Sequence, residues 1–329
     1  MASSYILRLI ALCFASFFLV NAILGLLVRM CAAPLARAAG RLPAREAARL
    51  LFALRLAPAA VGLFAVLALC IPSYLWFEPQ ATPEDVGLFC SAAALLGLLV
   101  WCWSATRAAR ALLSSVRYRR ACLRNNCFER LSDGTQSHIV HAPVALLAVS
   151  GIFRPQLFIS RDVLDSLSSE QLSVALRHER VHCVSRHNLK RLLFLLVPDL
   201  LPFGRWFAAI ESHWARFAEW AADDEATAGH PLHALTLASA LVRVAQLGAE
   251  QGIPQEIPLG SCLTAAGRDL AARVDRLLHP EPLLQPEVRR IRTTLAVSAA
   301  IGCTCLVVAV SLLPAALPSI HRLLEDLVR

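Results

Sequence analysis

Charge is scarce in this chain. Of its 329 residues only 17% are Asp, Glu, Lys or Arg, against about 25% in ordinary soluble domains. That shortage excludes a wholly solvated protein. No Cys-x-x-Cys pair occurs among the eleven cysteines, which argues against a disulfide framework or a zinc-ribbon type of site. Most of the cysteines lie in apolar runs and read as small fillers or free thiols. No internal repeat and no low-complexity segment is present. The net charge is +8, but the arginines cluster beside apolar runs, which is how membrane-topology signals look. Direct nucleic-acid binding is therefore not expected.

What the chain has in abundance is hydrophobicity: 57% of residues, with a mean hydropathy of +0.56. Four runs, at 9–28, 58–77, 86–103 and 294–313, approach or reach the roughly 20 residues a bilayer span needs. Arg29, Arg37, Arg41, Arg45, Arg49 and Arg55 lie between the first two, opposed only by Glu46. Between the second and third lie Glu78, Glu84 and Asp85 with no basic residue. Arg107, Arg110, Arg117, Arg119, Arg120 and Arg124 follow the third, and Arg289, Arg290 and Arg292 precede the fourth. The positive-inside rule then predicts an outer N-terminus and a cytoplasmic first loop. It places residues 104–292 in the cytoplasm and a short tail outside. The expected organisation is three transmembrane helices in 1–103, a cytoplasmic domain in 104–292, and a fourth transmembrane helix with an outer tail in 293–329.

The cytoplasmic segment carries the chemistry. His178-Glu179-Arg180-Val181-His182 is an H-E-x-x-H motif. On a helix, residues four apart share one face, so both imidazoles reach a single metal ion, and Glu179 falls beside it as a general base. The solvated-helix alternative, a polar face that happens to carry two histidines, is weaker in this context. Ser168 with Gln171 forms a capping box that starts the motif helix. Leu172, Ala175 and Leu176 supply its buried face.

A catalytic zinc usually has three protein ligands and one open position. The third candidate is Glu219, on a helix predicted over 210–227. Asp223, four residues on, is placed to accept the free ring N–H of a liganded histidine; a plain acidic surface is the alternative. His187, His213, His230 and His233 read as surface or packing residues. Residues 141–160 contain two β-like runs around Ser150-Gly151, read either as strands offering an edge near the metal or as a plain structural hairpin. Residues 189–207, apolar but broken by Pro198 and Pro202, read either as an interfacial segment or as a buried helical hairpin. Helical periodicity returns over 231–250 and 264–278, where Arg273, Arg276 and His279 close the last helix.

With these motifs in place, the chain resembles the BlaR/MecR family of membrane zinc metallopeptidases. The likeness includes the four spans and the soluble domain between the third and fourth. It extends to the G-x-F-x-P run (Gly151-Ile152-Phe153-Arg154-Pro155), the leucine-rich segment before H-E-x-x-H, and the E-x-x-A-D helix from Glu219 to Asp223. The resemblance implies an α-helical membrane protein with a cytoplasmic α+β gluzincin-like metallopeptidase domain in a bacterial inner membrane. It implies Zn2+ held by His178, His182 and Glu219, with Glu179 catalytic and Asp223 bracing a ligand. The implied role is regulated cleavage of a cytoplasmic repressor or of the chain itself. Two departures stand out. Family members often carry an aspartate shortly after the second histidine; the stretch here is Arg186-His187-Asn188, with His187 in the aspartate's place. The antibiotic sensors carry a penicillin-binding domain after the fourth span, where about 15 residues follow here, so a separate sensor protein is the expected partner. An HtpX-like quality-control peptidase and a non-catalytic membrane scaffold are the alternatives.

Overall fold

The structure is a computed structural model that describes residues 2–77, 87–124, 126–130, 136–140, 146–201, 205–251, 259–263 and 269–279, with positions 319 and 322. The first three apolar runs form long helices. They are α1 (Ala2–Met30), α3 (Ala44–Ala65), which continues through a π-helical turn (Val66–Cys70) into α4 (Ile71–Phe77), and α5 (Leu88–Arg124). A short α2 (Ala32–Ala39) links the first two. The spans Tyr5–Met30, Ala44–Phe77 and Leu88–Arg124 are all long and apolar enough to cross a membrane. They leave large apolar side chains facing outward, among them Leu7, Leu67, Trp76 and Phe89. The helices meet closely where side chains are small: a Cβ on Gly97 of α5 would sit 2.4 Å from the Phe14 carbonyl of α1. There is no break near residue 103, because α5 runs without interruption into the region read as the soluble domain.

The expected fourth span at 294–313 lies outside the described residues. A different helix, α10 (Pro231–Gln251), passes the same length and composition test over Pro231–Glu250. Its Leu237, Ala238, Ala240, Leu241 and Val244 are nevertheless buried in the core beside the sheet.

That sheet has five strands in the order β1-β2-β4-β3-β5. They are β1 (Asn126–Arg130), β2 (Gln136–Val140), β3 (Leu147–Ser150), β4 (Gln156–Ser160) and β5 (Ser261–Cys262). Only the β2/β4 pair is parallel. The two strands foreseen around Ser150-Gly151 are therefore present, but not as an edge. β4 lies between β2 and β3, and the far side of β3 pairs with β5 at Ala148 and Val149. The turn between β3 and β4 requires glycine at 151: φ is +107°, and a Cβ there would meet the Arg154 carbonyl at 2.7 Å.

Behind the sheet lie α6 (Arg161–Ser166), α7 (Ser169–Val184) and α11 (Leu270–Leu278). Leu147, Val149, Leu157 and Ile159 pack there against Val174, Ala175, Leu176, Leu241 and Leu277. A second core joins the soluble part to the long helices. In it α8 (His187–Leu196) and α9 (Ala208–Thr227) bring Phe194, Ile210, Trp214 and Phe217 onto Ala47, Ala48 and Leu51 of α3. Within the 189–207 stretch, the described residues are most of the short helix α8 and residues 197–201 and 205–207, which meet α1, α3 and α5. At ten residues α8 is about half the length a span needs.

Candidate metal site

The site is built where α7 crosses α9. The Ser168 hydroxyl accepts from the Gln171 backbone N–H, and the Gln171 side chain accepts from the Ser168 N–H, so the capping box fixes where α7 begins. From that start, helical periodicity carries His178, Glu179 and His182 onto the buried side along with Val174, Ala175 and Val181. On α9 the small residues Ala218 and Ala222 are fully packed. They let α9 approach α7 closely enough for Glu219 to meet both histidines.

His178 Nε2 and His182 Nε2 lie 3.1 Å apart. Glu219 Oε2 is 3.5 Å from the first and 3.6 Å from the second. A tetrahedral ion with bonds of about 2.0–2.1 Å needs ligand atoms about 3.3–3.4 Å apart, and the three observed edges bracket that value. Glu219 Oε2 is buried and ion-paired to Arg273 Nη1 at 3.2 Å. These three residues are the group among the described residues whose ligand atoms converge well enough to hold a metal ion.

The surrounding groups orient the ligands. Asp223 Oδ1 lies 3.0 Å from His178 Nδ1, within reach of a ring proton on Nδ1, which would leave Nε2 for a metal. His182 Nδ1 is 2.7 Å from Nδ1 of His187. His187 is buried, and burial together with the neighbouring His182 pushes its pKa down to about 2. It is therefore neutral, and with His182 ligating through Nε2 its Nδ1 would accept the His182 Nδ1–H. Trp214 packs edge-on against its ring. Of the surface-or-packing reading of His187 the packing half describes it: it is buried against His182 and Trp214.

Burial opposes charge on His178, but Asp223 and Glu219 outweigh burial and raise its pKa to about 9, so a metal ion bound at Nε2 would displace a proton there. Burial likewise opposes charge on Glu219, yet His182, His178 and Arg273 hold its carboxyl well below the usual range. Glu179, only 1% exposed, lies close enough for its charge to act on Arg273. Three buried carboxylates (Glu179, Glu219 and Asp223) thus face one buried guanidinium, Arg273, with the partly exposed Arg191 3.8 Å from Glu219 Oε1.

Sequence reasoning did not foresee Arg273. It stands 2% exposed between Asp223 and Glu219, and nothing local in its own helix marks it. His213, on α9, contacts Arg216 instead of the site. His230 and His233 meet edge to face where α10 begins. Beside the motif helix, a groove of about 340 Å³ opens between the G-x-F-x-P turn and the end of α7, lined by Ile152, Phe153, Pro155, Cys183, Val184, Arg186 and Leu189. Asn188 ties that turn to α8 by donating to the carbonyls of Val149 and Gly151 at 3.3 and 2.9 Å.

No protein-family model, curated protein or solved structure matches the chain.

Proposed function

We propose that this chain is an integral-membrane zinc-dependent endopeptidase of the BlaR/MecR type, with a gluzincin-like domain on the cytoplasmic side of a bacterial inner membrane. The observation that carries this reading is the buried triangle of His178 Nε2, His182 Nε2 and Glu219 Oε2, with edges near those of a tetrahedron. Two imidazoles and one carboxylate are a zinc donor set. Three protein ligands rather than four are the mark of a catalytic site, so a purely structural metal in a scaffold protein is the weaker reading. Bound there, zinc would supply a Lewis acid for the scissile carbonyl and activate water.

The chain's own residues do the rest. Glu179, the residue after the first ligand on the same helix face, takes the proton of the attacking water and passes it to the leaving amine. Asp223 and His187 fix the two imidazole rings so that both lone pairs converge. The basic residues after α1 and within α5 orient the site toward the cytoplasm. The natural substrate is a cytoplasmic protein, a transcriptional repressor or the chain itself, and a separate membrane protein supplies the stimulus. An HtpX-like quality-control role uses the same chemistry on many substrates instead of one.

Glu179→Gln keeps the side-chain shape and removes the base. With fluorescein-labelled casein as the probe and the full chain in detergent, cleavage should fall by about 10²–10⁴-fold while zinc content stays unchanged. Cleavage at the wild-type rate would mean that the chain is not a peptidase of this kind.

A further inference from the structure

Arg273 lies outside every motif, yet it reaches Asp223, Glu219 and His178. Its Nε donates to Asp223 Oδ2 at 2.9 Å and its Nη2 to Asp223 Oδ1 at 2.7 Å, a two-pronged grip on the carboxylate that braces His178. Nη1 donates to the Leu263 carbonyl at 3.0 Å. Leu263 in turn donates its own N–H to the Leu147 carbonyl of β3. The remaining approaches run to Glu219 Oε2, 3.2 Å from Nη1, and to His178 Nε2, 3.4 Å from Nη2. Those are two of the three ligand atoms. The helix beneath is anchored, since Leu277 is buried in the core beside the sheet with Leu270 and Val274 packed against it.

We propose that Arg273 is the positioning residue of the metal site: one planar guanidinium fixes the ligand Glu219 and the brace Asp223 relative to each other and to the sheet. The inference rests on the metal-site reading above and not on peptidase activity. Arginine suits the task and lysine does not. A guanidinium presents five donors in a rigid fork, whereas an ammonium is a point charge on a flexible stem. The two carboxylates lie on one helix face, four residues apart, with a third close by on α7. Without a cation spanning them they repel one another and swing apart.

The role separates cleanly from electrostatics, because removing the charge altogether also removes a cation that repels the metal. Arg273→Lys keeps the charge and loses the fork. The measurement is the Zn2+ dissociation constant of the full-length protein in detergent, by competition with a chromophoric chelator, at a temperature well below the unfolding midpoint of the metal-free variant. Arg273→Lys should weaken Zn2+ binding by about 10–100-fold, the usual cost of losing a group that orients metal ligands. Binding at the wild-type level, with only the unfolding midpoint lowered, makes Arg273 a structural clamp and overturns the proposal. Tighter binding makes it a competitor of the metal and overturns it equally. If the lysine variant fails to fold, Asp223→Asn leaves Arg273 in place and removes the charge it grips; the same weakening is expected, and unchanged affinity overturns the role. If the wild type binds no Zn2+, the metal site falls and Arg273's role with it. If Zn2+ binds and Arg273→Lys weakens it while Glu179→Gln still cleaves, the peptidase reading falls and Arg273's role stands.

Discussion

Two buried ionic clusters lie in this molecule, and they are built to opposite rules. At the junction between the long helices and the soluble part, Arg55 of α3 donates to Asp199 Oδ1 and to Glu211 Oε1, both at 2.9 Å. Arg107 of α5 takes Asp199 Oδ2 at 2.7 Å. Arg55 also donates to the carbonyls of Phe194 and Val197, and its guanidinium lies 4.5 Å from the Phe207 ring centroid. Two arginines meet two carboxylates, and none of these side chains has an orphaned buried atom. The cluster around His178 holds three carboxylates (Glu179, Glu219 and Asp223), with Arg273 buried among them and Arg191 at the rim, 3.8 Å from Glu219 Oε1. The first network closes on itself and holds parts together. The second has three side-chain atoms converging on one point, which leaves it able to hold a metal ion.

The comparison is broken most severely at the junction. Asp199→Ala leaves Arg55 and Arg107 buried without their shared partner, which should cost about 3–5 kcal/mol. Thermal unfolding in detergent should show the loss, while metal stoichiometry stays at the wild-type value. If metal binding disappeared in a variant that remained folded, the two clusters would not be independent. A finer test lies beside the site. Arg276 pairs with Asp224 at 2.7 and 2.8 Å on the same two helices that hold Arg273 and Asp223, but both partners are substantially exposed. Arg276→Ala should therefore change stability by no more than about 1 kcal/mol and leave Zn2+ affinity unchanged. A tenfold weaker affinity would show that α11 acts as a whole, and not through Arg273.

What the sequence made legible follows from distance along the chain. His178, Glu179 and His182 lie within one helical turn or so of each other, and Glu219 with Asp223 within another, so periodicity alone put each set on one face. The capping box at Ser168 and Gln171 is equally local. By contrast, Arg273 reaches Asp223 across 50 positions, and Asp199 reaches Arg107 and Arg55 across 92 and 144. No spacing rule connects such partners. Arg55 and Arg107 were also hidden by a good rule, since both fit the pattern of topology-setting arginines, yet the fold buries Arg55 and largely buries Arg107 as ion-pair partners. The strands β1, β2 and β5 escaped notice because short segments without a sustained apolar run carry little signal. The pairing that moves β3 away from the edge is made by β5, more than a hundred residues downstream.

The central claim is that His178, His182 and Glu219 hold one metal ion. The most direct measurement is the zinc content of the purified full-length protein in detergent after exhaustive dialysis against a weak chelator, compared with Glu219→Ala. One ion per wild-type chain and none in a Glu219→Ala protein that still folds is the predicted result. No bound zinc in the wild type, or the same zinc content in Glu219→Ala, would contradict it.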